Sequence, residues 1–335
     1  MNGDFVWEDA GRTVVFRRGG IGQALELVLG RDFDPFALLS TPRALGDAPE
    51  LAAAVSAVHE VGPGAVADLA APLLDQVDAA TIVALGGGRV IDVAKSVASV
   101  SGARVVAIPT TLSGAEMSAN HRAPAGAEGR VRRRARAELV IADPEAMTSA
   151  PEAELRASSM NALAHGADCL YTPLASPVSV MCSLRGAASI AGALDEEPGE
   201  RDRAALALGS ILCGYAVDSA KFGLHHPVCQ TLVRVCGTPH AGTNAAVLPR
   251  AAAFLAGRAP EIFAQLAAAL GTDPSGLEPR ILELGEDPPG LGALGADRSK
   301  LGQALEQMLE RPELASVPGP PLTKSDLAGL VEGSW

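Results

Sequence analysis

Residues 81–100 read TIVALGGGRVIDVAKSVASV, and this stretch decides the fold of the first half of the chain. TIVAL is a short unbroken run of apolar and β-branched residues, the pattern of a strand buried on both faces. Three glycines follow, and then VIDVAKSVASV, whose apolar residues recur at helical spacing. A buried strand that turns through glycines into a helix leaves the first N–H groups of the helix unpaired, at the positive end of its dipole and with no side chain to keep a phosphate away. On spacing alone the turn serves equally as a pyrophosphate cradle or as a plain tight turn, because it is not the usual dinucleotide fingerprint. Asp92, one turn into the helix, can cap it or meet a ribose, and Lys95 can reach a phosphate or stand in solvent.

Working outward, RTVVF (12–16), FALLST (36–41), RVVAIPT (104–110) and ELVIADP (138–144) are further β-rich runs, several of them followed by helical patterns. The alternation predicts a parallel, doubly wound sheet in a nucleotide-binding α/β domain over residues 1–150. In IPTTLSGAEMS (108–118), Thr110, Thr111 and Ser113 follow a strand at its carboxyl end, where open α/β sheets bind ligands. Beside the glycine turn one strand earlier, the binding reading of these hydroxyls is the better one. From Pro151 onward, long Ala- and Leu-rich segments dominate, broken at EEPGERD (196–202), DPSG (273–276) and EDPPG (286–290). Residues 151–335 are therefore expected to form an all-α domain, with its last helix starting at Thr323–Asp326.

The 335 residues suit two domains, and a formal net charge of −12 argues against nucleic-acid or anionic-membrane partners. No leader pattern opens the chain, and no uninterrupted apolar stretch reaches membrane-spanning length, so a cytoplasmic protein is expected. Five cysteines without a CxxC pair read as reduced core thiols. The basic run RVRRRAR (130–136) reads as a solvated edge guarding the strand after it, and His121 as a surface-loop histidine.

Three of the six histidines lie in HHPVCQTLVRVCGTPH (225–240), and SSMNALAHGADCLY (158–171) places Asn161 and His165 four apart on one helix face. Asn161, His165, His226 and His240 could converge on one divalent ion. Taken singly, each histidine is equally a satisfied core or loop group.

Together these motifs resemble the iron-containing (group III) alcohol dehydrogenase superfamily, which shares its scaffold with dehydroquinate synthase. GGGRVIDVAK is similar to that superfamily's glycine signature. PTTLSGAEM, FVWEDAGRTVVF, LLSTP, VIADP, SSMNALAHGADCLYTPLASP and GLHHPVCQTL resemble, in the same order, segments of its maleylacetate reductase branch. The resemblance implies an N-terminal nucleotide-binding domain, a helical C-terminal domain, and NADH or NADPH in the cleft between them. Carried over by position, Ser40, Thr41 and Pro42 would flank the adenosine half. Gly87, Gly88, Arg89 and Asp92 would hold the pyrophosphate and ribose, with Thr110, Thr111 and Ser113 toward the nicotinamide. The superfamily's metal positions fall on Asn161, His165, His226 and His240, for Fe2+ or Zn2+. A homodimer is implied by family likeness.

The departures are informative. Asn161 stands where the alcohol dehydrogenases carry a metal-binding Asp, and a neutral amide is the poorer ligand for a dication. Gln230 stands where the superfamily has a cleft-lining His, and it cannot titrate near neutrality. Arg89 brings a bulky cation to the glycine loop, where it could grip or block a phosphate. VRVCG (233–237) and Gly242 also differ from the branch pattern. The leading expectation is an NAD(P)H-dependent oxidoreductase acting on a carbonyl or activated enoate of a small carboxylated substrate. In the maleylacetate reductase reaction, as the resemblance implies it, hydride saturates a 4-oxo-2-enedioate to give 3-oxoadipate. His225, His226 and Gln230 are its candidate catalytic and substrate-positioning groups. The alternative is a non-redox lyase, dehydratase or cyclase on the same scaffold.

Overall fold

The computed structural model describes residues 5–9, 11–55 and 57–335, with side chains from Gly11 onward except at Ser56. Residues 1–4 and 10, part of the opening read for a leader pattern, lie outside the described residues. The chain divides into two compact units, Met1–Pro151 and Glu152–Trp335.

The first unit is built on a seven-stranded sheet of order β1-β2-β7-β6-β5-β3-β4. Its strands are β1 (Phe5–Asp9), β2 (Arg12–Phe16), β3 (Phe36–Ser40), β4 (Val58–Glu60), β5 (Thr81–Gly86), β6 (Arg104–Pro109) and β7 (Leu139–Ala142). All neighbouring pairs are parallel except β1 with β2. Every run read as a strand in the sequence forms one. The two additions, β1 and β4, are the edge strands. Side chains alternate between the two faces of a strand: Val83, Leu85, Val106, Ile108, Leu139 and Ile141 join one buried cluster with Val28, Phe33 and Leu51. The helix Gly88–Ser101 packs against β5 and β6, and its residues 90–100 are buried except Asp92, which is half-buried.

Register is what builds a binding edge. Ser40 lies opposite Leu85, and Leu85 opposite Ile108, so β3, β5 and β6 end level with one another. The chain runs outward from β3 to β4 and then crosses back to β5 on the other side of β3, which puts the switch in strand order between β3 and β5. Open α/β sheets take ligands at the carboxyl ends of strands at such a point.

The basic run is corrected by this topology. The strand it precedes, β7, lies inside the sheet between β2 and β6, so there is no edge for the charges to guard. Arg133 instead donates to the carbonyls of Gly102 and Ala103, at 3.3 and 2.8 Å, closing the end of the Gly88–Ser101 helix. His121 is pinned rather than loose: its Nδ1 donates to Arg122 O and its Nε2 accepts from Ala135 N.

The second unit is helical, with no strand among its described residues. The helices that carry the site are Glu152–Asp168, Pro177–Leu194, Arg203–Ala220, His225–Cys236 and His240–Arg258. Thr323 and Asp326 form the expected capping box of the last helix. One helix bears on the reading of apolar length, that no uninterrupted apolar stretch is long enough to span a membrane. Pro177–Leu194, with a mean hydropathy of 1.3, is long and apolar enough by length and composition to cross a membrane. It packs against Arg203–Ala220 and Glu152–Asp168, and carries an exposed Arg185 between its apolar turns.

Candidate active site

The carboxyl edge of the first unit brings two of the sequence motifs together. A methyl group on Gly87 would lie 3.1 Å from Thr111, and one on Gly88 would lie 2.8 Å from Ser113. The glycines thus accommodate the close approach of the TTLS loop, and helix Gly88–Ser101 starts without a side-chain cap. Arg89 is exposed, unlike the buried residues that follow it on that helix. The flanking cofactor positions are more committed. Ser40 is fully buried and donates to Leu85 O at 2.8 Å, tying β3 to β5. Thr41 accepts from Ala44 N as the cap of the turn Pro42–Leu45.

Lys95 takes neither role foreseen for it. Fully buried, its ammonium donates to the carbonyls of Ala115, Ser118 and Asn120 and pairs with Asp92 at 2.8 Å. It therefore holds the loop after β6 against the helix after β5. Glu116, on the same loop, is buried with neither carboxyl oxygen hydrogen-bonded to another residue. Burial raises its pKa from 4.5 to about 7.

The second unit gathers a polar cluster at the end of the buried helix Glu152–Asp168. Asn161, His165 and Asp168 are spaced i, i+4, i+7 and share one face. All three are buried. Asp168 organises the start of the next site helix: it accepts from the backbone N–H groups of His225 (2.9 Å) and His226 (3.1 Å), from Tyr171 Oη (3.2 Å) and from His226 Nδ1 (3.1 Å). Burial alone would raise this carboxyl. The His226 hydrogen bond and the neighbouring imidazoles outweigh that and hold it at about 2. An ionised carboxylate can only accept, so His226 Nδ1 carries the proton. His226 Nε2 is left buried without a partner. The His226 ring is clamped between Phe222 and His165, each at 4.5 Å between centroids. Burial, and then the charges of His226 and His240, push His165 well below the usual histidine range, so it is neutral at pH 7.

His225, a candidate to position substrate or to stand behind the groups that do, is buried in the same cluster. Its Nε2 donates to Asn244 O at 3.0 Å, joining two helices, and burial lowers it to about 3. The contact links the start of His225–Cys236 to the helix His240–Arg258. Gln230 does lie one turn after His226 on the same helix, where its Oε1 accepts from Arg311 Nη2 at 3.0 Å.

The four metal positions separate into two pairs. His165 and His226 stack with only 13° between their rings. Each of the two rings keeps one buried nitrogen without a partner, His165 Nδ1 and His226 Nε2. Asn161 Oδ1 and His240 Nε2 instead face a single nitrogen, Asn244 Nδ2, at 2.5 and 3.2 Å. Among the described residues no three His, Cys, Asp or Glu side chains are placed to hold a metal ion. The donor set as arranged does not fit a shared Fe2+ or Zn2+. Gly242, where the branch pattern has a Glu, is explained by packing: a methyl there would meet Leu294 at 2.8 Å.

Asp168, Tyr171, Phe222, Asn244, Arg311 and Glu116 were not singled out from the sequence. Two of them carried a signal: Asp168 is three residues after His165, and Asn244 is four after His240, both helical-face spacings.

Comparison with known proteins decides the family. Residues 40–151 match the family described as iron-containing alcohol dehydrogenase, and residues 156–284 match the Fe-containing alcohol dehydrogenase family, C-terminal. Maleylacetate reductase 1 of Rhodococcus opacus is 32% identical over 286 residues, covering 82% of this chain and 78% of that protein. The chain belongs to the iron-containing alcohol dehydrogenase family. Within it, the chain lies on the maleylacetate reductase branch, and it is an oxidoreductase. Its fold superposes on an iron-containing alcohol dehydrogenase of Corynebacterium glutamicum with a TM-score of 0.84 at 29% identity, covering 96% of this chain and 94% of that one. The maleylacetate reductase of Agrobacterium tumefaciens gives 0.84 at 26% identity, covering 100% and 99%. The α/β and all-α architecture expected from the sequence is that of this family.

Proposed function

We propose that this oxidoreductase uses NADH or NADPH to reduce the carbonyl or activated enoate of a small carboxylated substrate, with the 4-oxo-2-enedioate class as its first candidate. The relatives named maleylacetate reductase support the substrate class. The glycine turn and TTLS loop, at the switch point of the first unit, support a dinucleotide there: Gly87 and Gly88 would receive the pyrophosphate, and Thr110, Thr111 and Ser113 would supply hydroxyls.

The observation that carries the chemistry is the Asp168–His226 pair with its unpartnered Nε2. When hydride reaches the substrate carbon, negative charge develops on the conjugated oxygen. His226 would act as the general acid, giving its Nε2 proton to that oxygen so that the enol formed tautomerises to the saturated ketone, while Asp168 keeps Nδ1 protonated throughout. His165, neutral and stacked on it, keeps water from the ring face. Because the metal positions do not converge, the proposed step uses hydrogen-bonding groups alone.

The same proposal assigns a homodimer working in the cytoplasm. The five cysteines are all unpaired, which suits a reducing compartment. Loss of reduced-nicotinamide absorbance on adding a 4-oxo-2-enedioate, with 3-oxoadipate as product, tests the reading. Failure of both NADH and NADPH to bind the protein would overturn it.

A further inference from the structure

Gln230, the clearest departure from the superfamily pattern, leads to a charged group that the proposed chemistry has not used. Four residues after His226, it stands about 6 Å further along the same helix, on the same face. Its Oε1 accepts from Arg311 Nη2 at 3.0 Å. Arg311 is therefore presented one helical turn from the imidazole that meets the substrate. Its other bonds go to Glu313, which takes Nε at 3.0 Å and Nη2 at 2.7 Å. Glu313 shares the environment of the histidine cluster closely enough for the negative charge of Asp168 to act on its carboxyl.

Two features make this arrangement a receptor rather than a plain ion pair. A planar guanidinium holding both oxygens of one carboxylate is the arrangement by which arginine recognises carboxylate ligands. Here the carboxylate comes from two residues away, at the start of the short turn Pro312–Ser316, and the pair is only partly buried, with 17% and 31% side-chain exposure. A partly solvated pair of this kind contributes little to stability, so a competing carboxylate can displace it. Arg311 Nη1 takes no part in any of these bonds. Gln230 suits the post because its amide oxygen accepts from the guanidinium, whereas a protonated histidine there would repel it.

We propose that Arg311, held by Gln230, anchors a carboxylate of the substrate, and that Glu313 occupies the anchor until the substrate displaces it. This rests on the reductase reading and names the residues that would select an anionic substrate over a neutral one. Discrimination would arise one turn from the reacting oxygen, as a dicarboxylate of four to six carbons allows.

The test compares a 4-oxo-2-enedioate with its uncharged diester, using the intact enzyme and the preferred reduced nicotinamide. Arg311→Lys is expected to raise KM for the dianion roughly 10- to 100-fold, the worth of one charge-assisted contact, with kcat and the diester KM changed little. Glu313→Gln is expected to lower KM for the dianion several-fold, a gain that a merely structural pair would not give. Equal effects of Arg311→Lys on both substrates, or a higher dianion KM in Glu313→Gln, would overturn the proposal. Adipate binding, measured by calorimetry, is independent of turnover. If the protein reduces nothing, the reductase reading fails, while adipate binding weakened tenfold or more by Arg311→Lys still supports the anchor. Adipate binding that is absent, or unaffected by Arg311→Lys, overturns the anchor whatever the activity.

Discussion

Asn244 donates its side-chain amide to Asn161 Oδ1 at 2.5 Å, and the same nitrogen lies 3.2 Å from His240 Nε2. A hydrogen-bond donor thus stands where a cation would have to stand to use both groups. The expected consequence is activity that survives removal of divalent metal. Protein purified without chelator should carry Fe2+ and Zn2+ well below one equivalent by elemental analysis, and its kcat should be unchanged after treatment with EDTA. Stoichiometric metal whose removal abolishes turnover would contradict the reading of this contact. The double variant Asn161→Asp with Asn244→Ala, which supplies a carboxylate and removes the competing donor, should gain zinc binding.

Asp168 and His226 should behave as one unit in catalysis. Asp168→Asn preserves shape but offers an N–H as readily as an oxygen, so Nδ1 of His226 is no longer held protonated. Removing a general acid's control typically costs 10²- to 10⁴-fold, and a fall in kcat of about 100-fold with a smaller change in KM is expected for Asp168→Asn. The imidazole 15N shifts of His226 should report the lost tautomer preference. The pair also sets an acid limit. Because the folded pKa is depressed from 3.8 to about 2, its stabilisation is present above pH 4 and lost as pH falls through 2. The size is about 2 kcal/mol, readable from acid-unfolding curves of the two proteins.

The strands, the helical second unit and the glycine turn were legible because each rests on local pattern: a short β-branched run, helical periodicity, three glycines after a buried strand. Lys95 was not, because its three carbonyl partners lie 20 to 25 residues ahead on a loop, and no periodicity announces a lysine that folds inward. The metal positions show the same limit from the other side. Spacing could place Asn161 and His165 on one face, but it could not show that Asn244 reaches across from the His240–Arg258 helix to take Asn161. Gln230 was visible as a departure, yet its partner Arg311 lies 81 residues away in the sequence.

Gly88 should be needed for the cofactor more than for the fold. A methyl there falls 2.8 Å from Ser113 Cβ and Oγ, so Gly88→Ala must push the TTLS loop away from the helix start that would receive a pyrophosphate. Weakening of NADH or NADPH binding by about tenfold or more is expected, by fluorescence titration, while the thermal midpoint falls by only a few degrees, as for a loss of about 1 kcal/mol. Unchanged binding in Gly88→Ala would separate the glycine turn from the cofactor.

Glu116 should make the first unit sensitive to pH near neutrality. Its folded pKa lies at about 7 against 4.5 for the free side chain, because burial disfavours the charged form more than Lys95 and Arg12 nearby favour it. A carboxyl raised in this way is best accommodated when protonated. The native state therefore holds its advantage below pH 4.5 and loses it as pH rises through 7, by about 3 kcal/mol when the whole interval is crossed. Glu116→Gln keeps the neutral shape at every pH, so its stability should change less than that of the parent between pH 5 and pH 8, and at pH 8 it should be the more stable protein. Urea unfolding at the two pH values measures both differences. Parallel profiles for the two proteins would mean that Glu116 finds a charge partner on ionising, with the Lys95 ammonium as the nearest candidate to supply it.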